Sequence, residues 1–200
     1  MTKAEQKKKI VDAAFDCFMK NGIKAVKMDD IATMMGMSKR TLYEIFGTKE
    51  ALLREVIEKS FQKRDKNLQK IVESANGDIL KILVSIFHAQ VKMIASVNPV
   101  FYDDLMSYPD LVGEIDKKRK SSRQNIDDFF AQGVRSGIFR KEVNYDILSE
   151  IFMNSASAIV EKKMLLKYPM IDFYESFTLV IFRGVMTDEA LARLHQDFKI

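Results

Sequence analysis

An all-α fold is the class this sequence predicts. Three observations carry it. Three prolines and eight glycines in 200 residues leave few breaks, while Lys, Glu, Leu, Ile, Ala and Met are abundant. Apolar residues recur at i, i+3 and i+4 through nearly the whole chain. Helix start and stop residues punctuate those stripes at plausible lengths. The chain is expected to divide into a small head, residues 1–48, and a larger helical body, residues 49–200.

The elements follow in order. Thr2 and Glu5 have capping-box spacing and open a helix whose stripe is Ile10, Val11, Ala14, Phe15, Phe18 and Met19, ending at Asn21-Gly22. Met28, Ile31, Ala32 and Met35 form a second, short helix with Asp29 and Asp30 in its first turn, where the helix dipole favours anions. Gly36 supplies a turn. Ser38 caps a third helix that Gly47 ends, and Thr48 caps the next, with Glu50 in its opening turn. That fourth helix carries Leu52, Leu53, Val56, Ile57, Phe61, Leu68, Ile71 and Val72 toward a turn at Asn76-Gly77.

Asp78–Val97 is apolar on nearly every face, as in a helix buried within a body. Pro99 and Pro109 bracket a short helix, Val100–Ser107. Asp110 opens a long helix to about Arg135, with a charged run Lys117-Lys118-Arg119-Lys120 that reads as a solvated face. Gly133, Gly137 and the stretch to Asn144 form a break. Tyr145–Tyr168 is a second long helix, stopped by Pro169. Ile171–Met186 is a third, with Phe173, Phe177, Val180, Ile181 and Val185 on one side. Thr187 caps a last helix, Asp188–Phe198.

Two short helices joined by a glycine-containing turn form the helix-turn-helix pattern. At about 100° per residue, Ile45 and Phe46 fall within roughly 60° of Leu42, and the three define the buried side of the third helix. Arg40 and Glu44 point the other way, with Thr41 and Tyr43 on the flanks. A cation, an anion, a hydroxyl and a phenol suit base edges and phosphates; alternatively, Arg40 and Glu44 are an i,i+4 ion pair on a solvated face. The charge balance agrees with the first view. Ten Lys/Arg against seven Asp/Glu in Met1–Glu50 put +3 of the net +4 in the first quarter.

The sequence resembles the TetR family of transcriptional repressors at Gly22, Asp30-Ile31-Ala32, Gly36-Met37-Ser38-Lys39, Thr41-Leu42-Tyr43, Phe46, Lys49-Glu50 and Leu52. The match covers about the first quarter. The resemblance implies a helix-turn-helix DNA-binding head and a C-terminal ligand-binding and dimerisation body. It implies a regulator, a repressor that binds a palindromic double-stranded operator as a homodimer and is released by a small hydrophobic effector. Lys39, Arg40, Thr41 and Glu44 would face base edges. Tyr43, Thr48, Lys49 and Lys27 would reach phosphates, and Ser38 would cap the reading helix. Lys27 stands where the family usually has Ser or Thr, Ile45 where it has an aromatic or His, and Arg40 where it often has a small residue. The late long helices, with Ile151, Ala156, Ala158, Ile159 and Gly184, correspond to the pair that meets its copy in the family.

Candidate effector contacts are Phe87, His88 and Val91, then Phe101, Tyr102 and Met106, then Asn154, Ala158 and Glu161. These place polar groups among apolar helix residues. His88 reads first as a hydrogen-bonded core histidine, with the ligand anchor as the alternative. Neither histidine has metal-ligand spacing, the lone Cys17 makes a disulfide within the chain impossible, and phosphate-loop, dinucleotide and nucleophile-elbow motifs are absent. No cofactor, metal or enzyme activity is expected, nor a membrane partner. A cytoplasmic location is. The alternatives are an effector-independent DNA-binding factor and a helical small-molecule carrier with a vestigial head.

Overall fold

A computed structural model of the chain describes residues 2–161, 163–169, 171–172 and 175–198. The described residues form helices joined by turns, with one isolated antiparallel bridge, Phe139 to Met186. Among them, no helix is long and apolar enough to cross a membrane. The helices are α1 Lys3–Asn21, α2 Met28–Met34, α3 Lys39–Phe46, α4 Lys49–Ala75, α5 Ile79–Ala95, α6 Val100–Leu105, α7 Pro109–Ser121, α8 Arg123–Arg135, α9 Tyr145–Glu161, α10 Met164–Lys167, α11 Val180–Val185 and α12 Asp188–Phe198. A π-helical turn, Glu175–Leu179, precedes α11.

The chain forms two compact units: Met1–Asn67 with Ser96–Val112, and Leu68–Ala95 with Gly113–Ile200. The first holds α1, α2, α3, the start of α4 and α6. Ile10, Ala14, Phe18, Ile23, Ile31, Leu42, Leu52 and Leu53 are fully buried in it. Segment 96–112 is tied in by polar bonds as well as by Phe101 and Leu105. Asn98 donates its N–H to the Met19 carbonyl (2.7 Å) and its side-chain amide to that of Lys20 (3.2 Å). The buried Asp104 carboxylate accepts from the Lys24 N–H (2.7 Å) and lies 3.5 Å from its ammonium. A buried charge so held is costly to strip of its partners. Gly22 has φ 84°, and a Cβ there would lie 2.9 Å from Asp104 Oδ2, so both backbone and space require glycine.

The second unit is cored by Ile79, Leu80, Leu83, Phe130, Phe139, Met186 and Leu194. Phe130 stacks on Tyr145 (4.8 Å between centroids) and meets Phe139 at 5.5 Å. Tyr145 donates to the Arg140 carbonyl at 2.6 Å, which satisfies its hydroxyl inside an apolar cluster. Arg123, paired within α8 with Asp127, joins α8 to α9 through Glu150 (2.8 Å) and the Asp146 carbonyl.

Five expected features differ. The helix from Asp110 to Arg135 is two, because Ser121 and Ser122 both turn their hydroxyls back on the Lys118 carbonyl and interrupt the ladder. The helix to Tyr168 stops at Glu161, and Lys163 adopts φ 52°, a left-handed conformation that starts α10 afresh. In α5 the apolar face is buried only from Ile79 to Val84; His88 and Met93 are exposed. In the Ile171–Met186 stretch, Val185 is buried but Val180 is 64 % exposed; Phe173 and the Phe177 side chain lie outside what is described. Gly133, expected in a break, lies within α8, where its missing Cβ makes room for the Phe139 ring.

Candidate nucleic-acid interface

The head positions α3 by its ends and its buried side. Gly36 (φ 63°) closes α2 in a Schellman turn: Met37 N–H reaches the Ala32 carbonyl at 3.0 Å and Gly36 N–H the Thr33 carbonyl at 3.1 Å. Ser38 then caps α3, accepting from Thr41 N–H at 3.1 Å, and its hydroxyl also meets that of Thr41 at 2.9 Å. Gly47 (φ 71°) ends the helix. Leu42 and Phe46 are the buried residues of its eight, so an element too short to persist alone is held by packing.

The opposite side is open. Arg40 is 89 % exposed and Glu44 60 %, joined at 2.9 Å. The pair is thus the i,i+4 ion pair of the second sequence reading, and it faces solvent. So exposed a pair contributes well under 1 kcal/mol, so a duplex can separate it cheaply. Lys39 is also exposed, with its ammonium 2.9 Å from Asp29 and 5.9 Å from the Tyr43 ring. The hydrogen bond and charge of Asp29 raise the Lys39 pKa, so it stays a cation. Tyr43 is exposed beside them, and Lys27 is exposed before α2.

Two expected contacts are otherwise engaged. Lys49 turns inward: its ammonium donates to the Ile23 carbonyl at 2.5 Å, over the Phe18 ring at 5.9 Å, and burial lowers its pKa. Thr48 caps α4, its hydroxyl accepting from Ala51 N–H at 3.0 Å while its own N–H goes to Phe46. Its hydroxyl proton remains to donate. Lys27 gives α2 no side-chain cap, although its N–H reaches Asp30 at 2.8 Å. Lys27→Ser would add that cap at φ −93°, ψ 157° and remove one cation. The expected result is a gain of about 0.5–1 kcal/mol in thermal denaturation. If Lys27 reaches a phosphate, the salt slope of DNA binding also falls by about one.

The expected effector residues do not form one cluster. Phe101, Tyr102 and Met106 lie in the head unit, where Phe101 is buried and burial raises the Tyr102 pKa. In the other unit, His88 stands exposed with its ring edge-on to Phe87 at 6.1 Å, and Val91 is half-buried. The Asn154 amide donates to Glu150 at 3.1 Å. Ala158 is half-buried; the Glu161 side chain lies outside what is described. Phe87 does line a cavity of about 30 Å³, with Leu83, Val84, Ile86, Leu179, Phe182, Arg183, Met186 and Leu194. The sequence reading passed over Leu179, Phe182 and Met186, although their 3- and 4-residue spacing marks one helix face.

Residues 10–56 match the family of bacterial regulatory proteins, tetR family. The chain is 25 % identical over 150 residues to the HTH-type transcriptional repressor KstR2 of Mycolicibacterium smegmatis, covering 72 % of this chain and 73 % of that one. In fold it is similar to a TetR-family regulator from Agrobacterium tumefaciens, with TM-score 0.72 and 14 % identity over 92 % of this chain and 99 % of that one. It is similar too to the ketosteroid transcriptional regulator KstR2 of Mycobacterium tuberculosis, with TM-score 0.59 and 20 % identity over 94 % and 98 % of the two chains.

Proposed function

By its head the chain belongs to the TetR family of DNA-binding transcriptional regulators, and we propose that it is a ligand-responsive repressor that grips a palindromic operator as a homodimer. The observation that carries this reading is the outward side of α3. Arg40, Tyr43 and Glu44 are solvent-facing on a helix fixed from behind by Leu42 and Phe46. The Arg40 guanidinium has the planar fork that pairs with guanine O6 and N7, and Glu44 can accept from cytosine N4. Two heads related by a two-fold axis read half-sites one helical turn, about 34–36 Å, or a small multiple apart. The protein acts in the cytoplasm, where that DNA is.

The homodimer is supported by apolar side chains that stand exposed among the described residues of the body unit. Ile147 and Ile151, one turn apart on α9, are 58 % and 52 % exposed, and Val180 and Gly184 are exposed on α11. A second copy would cover these side chains in an isologous contact. Ile147→Glu with Ile151→Glu is expected to convert the protein to a monomer in native mass spectrometry and to weaken operator binding at least tenfold. Retention of the dimer would remove these side chains from the interface.

Release follows from linkage. An effector shifts the population of DNA-competent states only by its differential affinity for them. A cavity of about 30 Å³ favours a second reading, in which the protein represses without an effector. Titration of the protein against the palindrome nearest its own promoter, with a scrambled duplex as control, tests the first reading. Specific retention at low salt is expected.

A further inference from the structure

The cations on the exposed side of α3 are matched by anions. Lys39 holds Asp29, and Arg40 holds Glu44. The +3 surplus of the first fifty residues therefore lies outside this quartet, and Lys8, Lys9 and Lys27 are among its exposed members. The two pairs are not alike. Arg40 and Glu44 sit one turn apart on the same helix, and the Arg40 side chain is 89 % exposed. The Lys39 side chain is 59 % exposed, and its partner comes from another helix. Asp29 lies in the first turn of α2 and reaches α3 across the Gly36 turn. The Lys39 ammonium stands against both carboxylate oxygens, 2.9 Å from Oδ1 and 3.0 Å from Oδ2. The Tyr43 ring centroid is 5.9 Å away, at the outer limit of a cation–π contact, so the carboxylate does most of the holding.

So exposed a pair adds little to stability, and its consequence falls on binding. A lysine is a compact charge on a flexible four-carbon stem, and an unrestrained one serves any phosphate within reach. Non-specific binding consists of such contacts and grows with each cation offered to the backbone. Sequence is read where a donor meets a base edge in fixed register. Asp29 acts on both sides of this balance. It cancels the charge that a phosphate would attract, and it orders Lys39 before a base edge takes it. We infer that Asp29 is a specificity-determining residue of the head, which withholds Lys39 from phosphates and keeps it aligned for a base edge. It acts through Lys39 and is a positioning residue. The inference rests on the assignment of α3 as the reading helix and names a residue outside α3 that sets its selectivity.

The test is fluorescence anisotropy on the full-length protein, with the palindrome nearest its own promoter and a scrambled duplex, from 50 to 200 mM salt. The parent, D29N, K39Q and the double variant are compared. D29N should bind the scrambled duplex about fivefold more tightly or better, with the salt slope steeper by about one per head, because Lys39 becomes available to a phosphate. Operator affinity should gain less, because the alignment is lost, so the ratio of operator to scrambled affinity should fall by at least about threefold. In the K39Q background D29N should leave that ratio unchanged, since the residue it acts through is gone. D29E keeps the carboxylate and should keep most of the parent ratio. Melting temperatures within about 1–2 °C of the parent show that the fold is intact. Equal tightening on both duplexes, an unchanged ratio in D29N, or a ratio that falls as far in the K39Q background overturns the inference. If the parent discriminates the operator and D29N does so equally, this inference alone is lost. If the parent does not discriminate, the reading of α3 falls and this inference falls with it.

Discussion

Gly133→Ala is expected to lower the melting temperature by roughly 4–8 °C, a loss of about 2 kcal/mol in a chain of this length. On propensity alone the change should help, since Ala is favoured over Gly inside a helix by about 1 kcal/mol. Space decides otherwise. A Cβ built at Gly133 would overlap Cδ2 and Cε2 of the Phe139 ring. The Phe139 ring cannot withdraw freely, because Phe129, Phe130 and Tyr145 surround it. Its backbone is held as well: Phe139 N–H reaches the Gly133 carbonyl at 3.1 Å, and the next residue's N–H reaches the Val185 carbonyl at 2.8 Å. Overpacking such a site typically costs 1–3 kcal/mol. A double-mutant cycle isolates the cause. Phe139→Ala alone should cost about 3–5 kcal/mol. In that background Gly133→Ala should become neutral or stabilising, a coupling characteristic of residues in contact. A thermal melt of the four proteins checks it, and additive losses would contradict the steric account.

Arg40→Ala is the second large effect, and it falls on binding alone. The side chain is 89 % exposed and its one partner, Glu44, is also exposed, so the melting temperature should stay within about 1–2 °C of the parent. A bidentate guanine contact is worth about 1–3 kcal/mol of discrimination, so the ratio of operator to scrambled affinity should fall roughly 5- to 150-fold. The variant also leaves Glu44 without its neutralising partner against the phosphates, which adds to the loss. Glu44→Gln in the Arg40→Ala background should recover part of it. Anisotropy titrations at fixed salt read both. Tyr43→Ala, by contrast, should weaken operator and scrambled duplex alike, because a phosphate contact carries no sequence information.

The head was legible in the sequence because its punctuation is local. Thr2 with Glu5, Gly36, Ser38, Gly47 and Thr48 each act on residues within a few positions, and each is found in the expected role. What stayed hidden depends on contacts distant in sequence. Lys49 turns inward because the Ile23 carbonyl, 26 positions earlier, offers it an acceptor. Asp104 is buried because the Lys24 N–H, 80 positions away, receives it. That bond, with those of Asn98, draws segment 96–112 into the head unit, which no periodicity could reveal. The breaks at Ser122 and Lys163 were obscured because helix-period stripes continue through both. The effector candidates set a few polar residues, His88, Asn154 and Glu161, among apolar ones, but Phe101, Tyr102 and Met106 belong to one unit and Phe87 to the other.

Hydroxyl-radical footprinting on the palindrome nearest the gene's own promoter, repeated from 50 to 200 mM salt, tests the central claim most directly. Two protected patches should lie on one face of the duplex with centres about 34–36 Å apart or a small multiple of that, and affinity should fall steeply with salt as phosphate counterions are displaced. Uniform protection, identical on a scrambled duplex and unaltered by Arg40→Ala, would contradict the assignment of α3 as the reading helix.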